Sequence, residues 1–380
     1  MKNIFAPRRD GTSSFTHPLV LTSFVFIFSA CGELPGFTVD AKTDNFVQTP
    51  VLNDKIDILF VVDNSGSMSE EQNNLAQSFE TFINNFASKN LKFQVGVIST
   101  DVLTTTSWWE ATGPHVVSSP YINFSNAGPG TLLARTGNDK IITPSTPNYI
   151  QQFSDNVLLG VTGSGAEAGI LSVLKFLEPE KLAEGAWNHG FIREEAVLAL
   201  IFVSDEDESW GISGVSGISS SSYIRTLTGG QKDARVAELQ ASLLSVKNDQ
   251  LDKIRVEAIV APSVAECPTV GKPGGIPGIG TVYSEVAAMF SGNTSNVCTD
   301  FSSDLENIAV NLVTALTRFK LIQAPLGQIE VRVDDVVVPR DPVNGWEYLA
   351  STQEVEFRGS AIPNANSSIS VRYVPGAPLE

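Results

Sequence analysis

The segment Ile56-Asp-Ile-Leu-Phe-Val-Val62 is almost uniformly apolar and rich in β-branched residues, the pattern of a strand buried on both faces of a parallel sheet. Polar residues occupy Asp63 to Ser69, after which Leu75, Phe79, Phe82, Ile83 and Phe86 recur at spacings of three and four. That spacing lays one apolar stripe along a helix starting near Ser69. Phe93–Ser99, Ala196–Val203 and Ile254–Val260 repeat the apolar strand pattern. Residues 166–177, 234–247, 282–290 and 305–319 carry helical spacing between and after them.

Strands alternating with helices predict an α/β fold: a doubly wound, mostly parallel Rossmann-like sheet whose ligands sit at the C-terminal ends of the strands. Beyond Pro325 the period drops to two in Gln328–Asp334, Gln353–Arg358 and Ser368–Val374. This predicts a small C-terminal β module, with Asp334-Asp335 as a hairpin turn. Two stretches, 101–149 and 205–230, are too long for ordinary connections and read as insertions in the large domain. The first contains Trp108 and Trp109, which either anchor a partner or pack the insertion's own core. The second opens on Asp205-Glu-Asp-Glu208, an acidic run that reads as a solvated turn.

Lys2, Arg8 and Arg9 precede an apolar run over residues 19–28, which ends at Ser29-Ala30-Cys31. A run this short targets a chain for export rather than spanning a bilayer, which takes about 20 apolar residues. Phe28-Ser-Ala-Cys31 resembles the bacterial lipobox, with Phe28 where Leu is usual. The resemblance implies cleavage before Cys31, lipidation of its sulfur and, with Gly32 following, an outer-membrane lipoprotein facing the periplasm or the cell surface. An ordinary secretory signal with an incidental Cys31 is the alternative, and it too exports the protein. The expected organisation is a lipoprotein signal peptide over 1–30, a tether over 31–53, the large domain over 54–323 and the β module over 324–380.

In an oxidising compartment Cys267 and Cys298, with no third cysteine to compete, most simply form a disulfide. Closing a loop of roughly 30 residues stabilises by about 3 to 4 kcal/mol in the chain-entropy model. Two buried free thiols are the alternative. A net charge of −17, which loss of the basic signal makes more negative, argues against nucleic acid as a partner. Only His17, His115 and His189 occur, and there is no Gly-x-Ser-x-Gly elbow. A Ser-His-Asp triad or a His-rich zinc site therefore has little material, and the chain reads as a binding protein rather than an enzyme.

Asp63-Asn-Ser65-Gly-Ser67 stands at the C-terminal end of the first strand of the large domain and brings one carboxylate and two hydroxyls into a tight turn. Such hard oxygen donors suit Mg2+, or Mn2+ or Ca2+, and not zinc. The pentapeptide alone is common by chance. Its place between an apolar strand and an amphipathic helix, echoed by Ser164 and Asp205 at the ends of later segments, makes it specific. In this setting it resembles the metal-ion-dependent adhesion site of von Willebrand factor A domains, over roughly Ile56 to Phe319.

The resemblance implies a site drawn from separate motifs. Asp63, Ser65 and Ser67 form the first. A hydroxyl from a loop before a helix, Ser164 with Thr162 as second choice, forms the next. Asp205 ends a central strand and forms the last, with Asp207 as second choice because Glu206 replaces the usual Gly. On that pattern Ser65, Ser67 and Ser164 bind the ion directly and Asp63 and Asp205 act mostly through water. One position is then left for a carboxylate of a protein or surface ligand. The function so implied is cation-dependent adhesion or recognition by a lipid-anchored exported protein. The alternative is a periplasmic structural or docking component of an envelope complex whose metal is structural or absent.

Overall fold

The computed structural model describes residues 46–49, 53–102, 129–161, 163, 167–209, 229–263, 266 and 279–376. The signal segment, Cys31, Trp108, Trp109, Thr162, Ser164 and Cys267 lie outside the described residues. Strand β1 (Phe46–Gln48) belongs to the C-terminal module. The large domain starts with β2 (Lys55–Val62), α1 (Ser69–Ala87) and β3 (Lys92–Ser99). It continues through α2 (Tyr149–Val157), α3 (Gly169–Phe176) and the short α4 (Pro179–Leu182) to β4 (Val197–Ser204). Then come α5 (Gly229–Val246), β5 (Ile254–Val260), α6 (Thr281–Met289), β6 (Thr294–Asn296) and α7 (Ser302–Leu316).

The five strands run parallel in the order β3-β2-β4-β5-β6. Side-chain alternation decides what each face meets. Ile56, Ile58, Phe60 and Val62 of β2 share an apolar core with α1, α2 and α7, whereas Leu59 and Val61 join the core that contains α3, α5 and α6. On the first face Phe60 meets Phe82 and Phe153 edge-on, and Phe153 stacks on Phe79 with ring centroids 3.6 Å apart. Both faces are covered, which is why these strands lack the polar alternation of a half-exposed sheet. The four apolar strands fall within one residue of the limits their sequence patterns give.

This strand order fixes where a ligand can approach. The chain leaves β2 for β3 on one side and returns to β4 on the other, so the winding reverses between β2 and β4 and the loops part at their C-terminal ends. At the opposite end of β2, the polar exception in the apolar strand is locked from below. Buried Asp57 accepts from Arg193 Nε at 2.7 Å and Arg193 N–H at 2.8 Å, and it faces the fully buried Lys247 ammonium at 3.7 Å. Lys247 Nζ also donates to the carbonyls of Arg193 and Ala196. Burial pulls the Lys247 ammonium down to about 8 against the attraction of Asp57.

Beyond α7 the chain builds two small antiparallel sheets. Expected helix 305–319 stops at Leu316, and Phe319 already lies in β7 (Phe319–Lys320). β8 (Pro325–Val333) turns through Asp334-Asp335 into β9 (Val336–Val338), and both turn residues adopt positive φ, 49° and 64°, as a two-residue hairpin requires. β10 (Trp346–Leu349), β11 (Glu354–Phe357) and β12 (Ile369–Pro375) follow. One sheet runs β1-β12-β8-β9 and the other β10-β11-β7. Phe46–Gln48 falls within the stretch expected to be a tether, yet it pairs antiparallel with Val371–Tyr373. Val331, Trp346, Phe357, Val371 and Tyr373 share one apolar core with α1 and α7, so the module is packed onto the helical layer. Among the described residues no helix is long and apolar enough to cross a membrane.

Candidate functional site

Asp63 leaves β2 directly into the crevice between β2 and β4. Its N–H donates to Val203 O at 3.0 Å, which carries the pairing of the two strands one residue past β2. One carboxylate oxygen accepts from Ser65 N–H at 2.7 Å and the other from Ser204 Oγ at 2.6 Å. The turn closed by the first bond sets Ser65 Oγ 3.2 Å from Ser67 Oγ, and Ser67 Oγ donates to Asp205 Oδ1 at 3.0 Å. Asp63, Ser65, Ser67 and Asp205 are thus brought together from the ends of two adjacent strands. Burial pushes the Asp63 carboxyl up to about 7, with the Asp205 charge adding to the rise and hydrogen bonds from Ser204 and Ser65 opposing it.

The loop before α3 is pinned over the same strand ends. Gln72 of α1 donates to Asp63 O at 2.8 Å and to Gly160 O at 2.9 Å, and accepts from Gly160 N–H at 3.1 Å. Gly163 N–H donates to Asn64 O at 2.9 Å, and a Cβ at Gly163 would fall 2.3 Å from Asn64 Oδ1, so any larger residue would have to displace the Asn64 side chain from its bond with Ser99 Oγ. Thr162 and Ser164, the two candidate hydroxyl donors, flank Gly163 but lie outside the described residues.

The acidic run after β4 is not a solvated turn. Asp207, the second choice for the last motif, caps α6: its Oδ1 accepts from Val282 N–H at 3.0 Å and from Glu208 N–H at 2.9 Å. Burial pushes Asp207 up to about 6 against these backbone bonds. Glu208 caps α3, accepting from Ile170 N–H at 2.8 Å and Leu171 N–H at 3.2 Å. It also accepts from Tyr283 OH at 3.0 Å and pairs with Arg235 at 2.9 Å. Anionic oxygens at helix N-termini satisfy backbone donors that have no partner inside the helix. Asp207 and Glu208 therefore tie two helix starts to the end of β4 and leave Asp205 and Glu206 at the crevice.

One residue the sequence pattern placed inside a helix belongs here instead. The expected helix 166–177 starts at Gly169, so Glu167 lies in the loop ahead of it. Glu167 is 0% exposed, and neither of its carboxyl oxygens has a hydrogen-bond partner among the described residues. Burial pushes it up to about 12, with the neighbouring Asp63 and Glu206 carboxylates adding to the rise. The only signal in the sequence is an acidic residue in an otherwise small and apolar stretch, Gly163-Ser-Gly-Ala-Glu-Ala-Gly169.

Chemically, the crevice offers carboxylates and hydroxyls with no nitrogen or sulfur ligand among the groups described above, a donor set that fits a hard divalent cation such as Mg2+, Mn2+ or Ca2+. Among the described residues no three His, Cys, Asp or Glu side chains close into a cage by themselves, so the serine hydroxyls are needed to complete any shell. Cys298 is half-buried against the core under α7. Its expected partner Cys267 lies outside the described residues.

No protein-family model matches the chain, and no curated protein matches it in sequence. Among solved structures it is similar to the pilus adhesin SpaC of Lactobacillus rhamnosus GG in its open conformation, with a TM-score of 0.40 and 12% identity. That match covers 84% of this chain and 38% of the adhesin, so the chain spans well under half of the adhesin's length. Proximal thread matrix protein 1 of the mussel byssus gives a TM-score of 0.36 at 12% identity, over 73% of this chain and 52% of that one. The human COPII-coat protein Sec24c gives 0.33 at 12% identity, over 88% and 40%. Likenesses of this strength carry nothing about what the chain binds.

Proposed function

We propose that this chain is an exported, lipid-anchored protein whose large domain is of the von Willebrand factor A type and captures a protein or surface ligand through a divalent cation. Ser65 and Ser67, with Ser164 or Thr162, would hold the ion, and Asp63 and Asp205 would orient its water. An acidic group of the ligand would complete the shell. The observation that supports this reading is the convergence of Asp63, Ser65, Ser67 and Asp205 within hydrogen-bond reach at the point where the winding of the sheet reverses. A cation there is left under-neutralised by hydroxyl ligands and attracts an anionic partner. Lipidation at Cys31, a Cys267–Cys298 disulfide, an outer-membrane location and the absence of enzymatic activity belong to the same proposal.

Capture from solubilised envelope proteins of the same cells tests it. The immobilised full-length protein should retain a species that elutes with chelator and that the Asp63→Ala variant does not hold. Retention indifferent to both the chelator and the substitution would sink the reading.

A further inference from the structure

We infer that the end of the C-terminal β module carrying Ile322 and Leu326 rests on the phospholipid bilayer and holds the crevice clear of it. The inference rests on the lipid-anchor reading above and adds which surface of the protein meets the membrane. Several segments converge at this end of the sheet β1-β12-β8-β9. Leu326 of β8 pairs with Val374 of β12, and Tyr373 pairs with Phe46, the first residue of β1. Gln323 N–H donates to Tyr373 OH at 3.4 Å, and Gly376 N–H donates to Ala324 O at 2.7 Å. These two bonds draw the link from β7 to β8 onto the same end.

Ile322 is 68% exposed and Leu326 60%, and Pro325 and Val374 beside them are only half-buried. Scattered exposed apolar side chains are ordinary on a soluble surface. These are grouped, and they lie in segments without carboxylates: 319–329 and 369–376 hold no Asp or Glu, in a chain that has 42. The nearest along β8, Glu330, is paired with Arg332 at 2.8 Å. A net charge of −17 repels the chain from anionic headgroups, so an end that lacks acidic side chains is the one suited to approach them.

The anchor also reaches the protein here. β1 runs antiparallel to β12, so its first residue lies at the Tyr373-Val374 end. The 14 residues between Cys31 and Phe46 span at most about 50 Å, and an acyl chain on Cys31 keeps Phe46 within that distance of the bilayer. The crevice is served by the other end of the large domain. Helix α1 begins at Ser69 beside the Asp63–Ser67 turn and runs 19 residues, about 28 Å. Just past its far end Lys89 meets the module: its carbonyl accepts from Ala365 N–H at 3.0 Å and its Nζ donates to Ile362 O at 2.7 Å. A module seated on the bilayer therefore leaves the crevice open to a partner beyond the membrane surface.

Tryptophan fluorescence of the protein purified with its anchor, in vesicles of phosphatidylethanolamine and phosphatidylglycerol, tests this. Leu326→Trp and Val336→Trp are each compared with the unaltered chain. Val336 is 68% exposed and lies at the hairpin end, about 20 Å from Leu326 along β8. Brominated acyl chains should quench the indole added at Leu326, placing it about 5–10 Å into the headgroup and acyl boundary, and should spare the one added at Val336. Adding Ile322→Asp to Leu326→Trp should abolish the quenching. Mass spectrometry of Cys31 and flotation of the vesicles report on the anchor separately. No quenching at Leu326, or equal quenching at both positions, in protein that is acylated and floats would overturn the docking end and leave the anchor standing. An indole at Leu326 that is already shielded in detergent and indifferent to brominated lipid would show a second copy covering this end, which overturns it too. Protein that is neither acylated nor afloat would take the anchor reading down with the inference.

Discussion

Titration of Mg2+ or Ca2+ into the Asp63→Ala variant is expected to give an affinity lower by roughly a hundredfold or more than that of the unaltered chain. Asp63 closes the turn that aligns Ser65 and Ser67 and anchors Ser204 on the other strand, so its removal takes away a charge and the geometry of the hydroxyls together. The domain should stay folded, because the residue sits at the rim of the sheet and its loss relieves a buried carboxyl even as two donors lose their acceptor. A second readout follows from linkage. Cation at about a hundred times its dissociation constant stabilises the unaltered chain by about 2.7 kcal/mol and should stabilise the variant by no more than about 0.4 kcal/mol, a far smaller rise in melting temperature. Equal cation affinity in the two proteins would remove Asp63 from the site.

Asp57→Ala is expected to have the opposite profile, a large loss of stability with no change at the crevice. Asp57 neutralises the fully buried Lys247 ammonium and receives two bonds from Arg193. Removing one partner of a buried pair leaves an uncompensated charge, which costs about 3 to 5 kcal/mol. Urea unfolding at neutral pH measures it, and a loss below about 1 kcal/mol would show that water or rearrangement compensates Lys247. Six residues of extended strand, about 20 Å, separate Asp57 from Asp63, so the folded fraction of the variant should bind cation as the unaltered chain does.

Which parts of this arrangement the sequence discloses follows from the range of the interactions that make it. β2 to β5 are legible because burial on both faces writes a continuous apolar run into each strand. The Asp334-Asp335 turn is legible because a two-residue hairpin turn demands positive φ from residues that tolerate it. β6, Thr294–Asn296, is a short polar strand at the sheet edge and carries no such run. β1 is set by pairing with Val371–Tyr373 at the far end of the chain, which no local pattern announces. Helix α2 stands directly behind the proline-rich stretch, which masks its pattern.

At the site the division is similar. Asp63, Ser65, Ser67 and Asp205 are found by a motif placed at strand ends, and the structure brings these four together. Asp207 and Glu208 look like surface charge because the backbone groups they cap arrive from 75 and 38 residues away. The apolar neighbours of Glu167 give it the pattern of a helix, whereas the helix begins only at Gly169 with Glu208 as its cap.

The most direct test of the central claim is the anomalous scattering of Mn2+ in crystals of the full-length protein. The account predicts a peak within coordinating distance of the Ser65 and Ser67 hydroxyls, with Asp63 and Asp205 beside it. Crystals that take up Mn2+ elsewhere, or not at all, while Asp63, Ser65, Ser67 and Asp205 keep the hydrogen bonds described here, would contradict it.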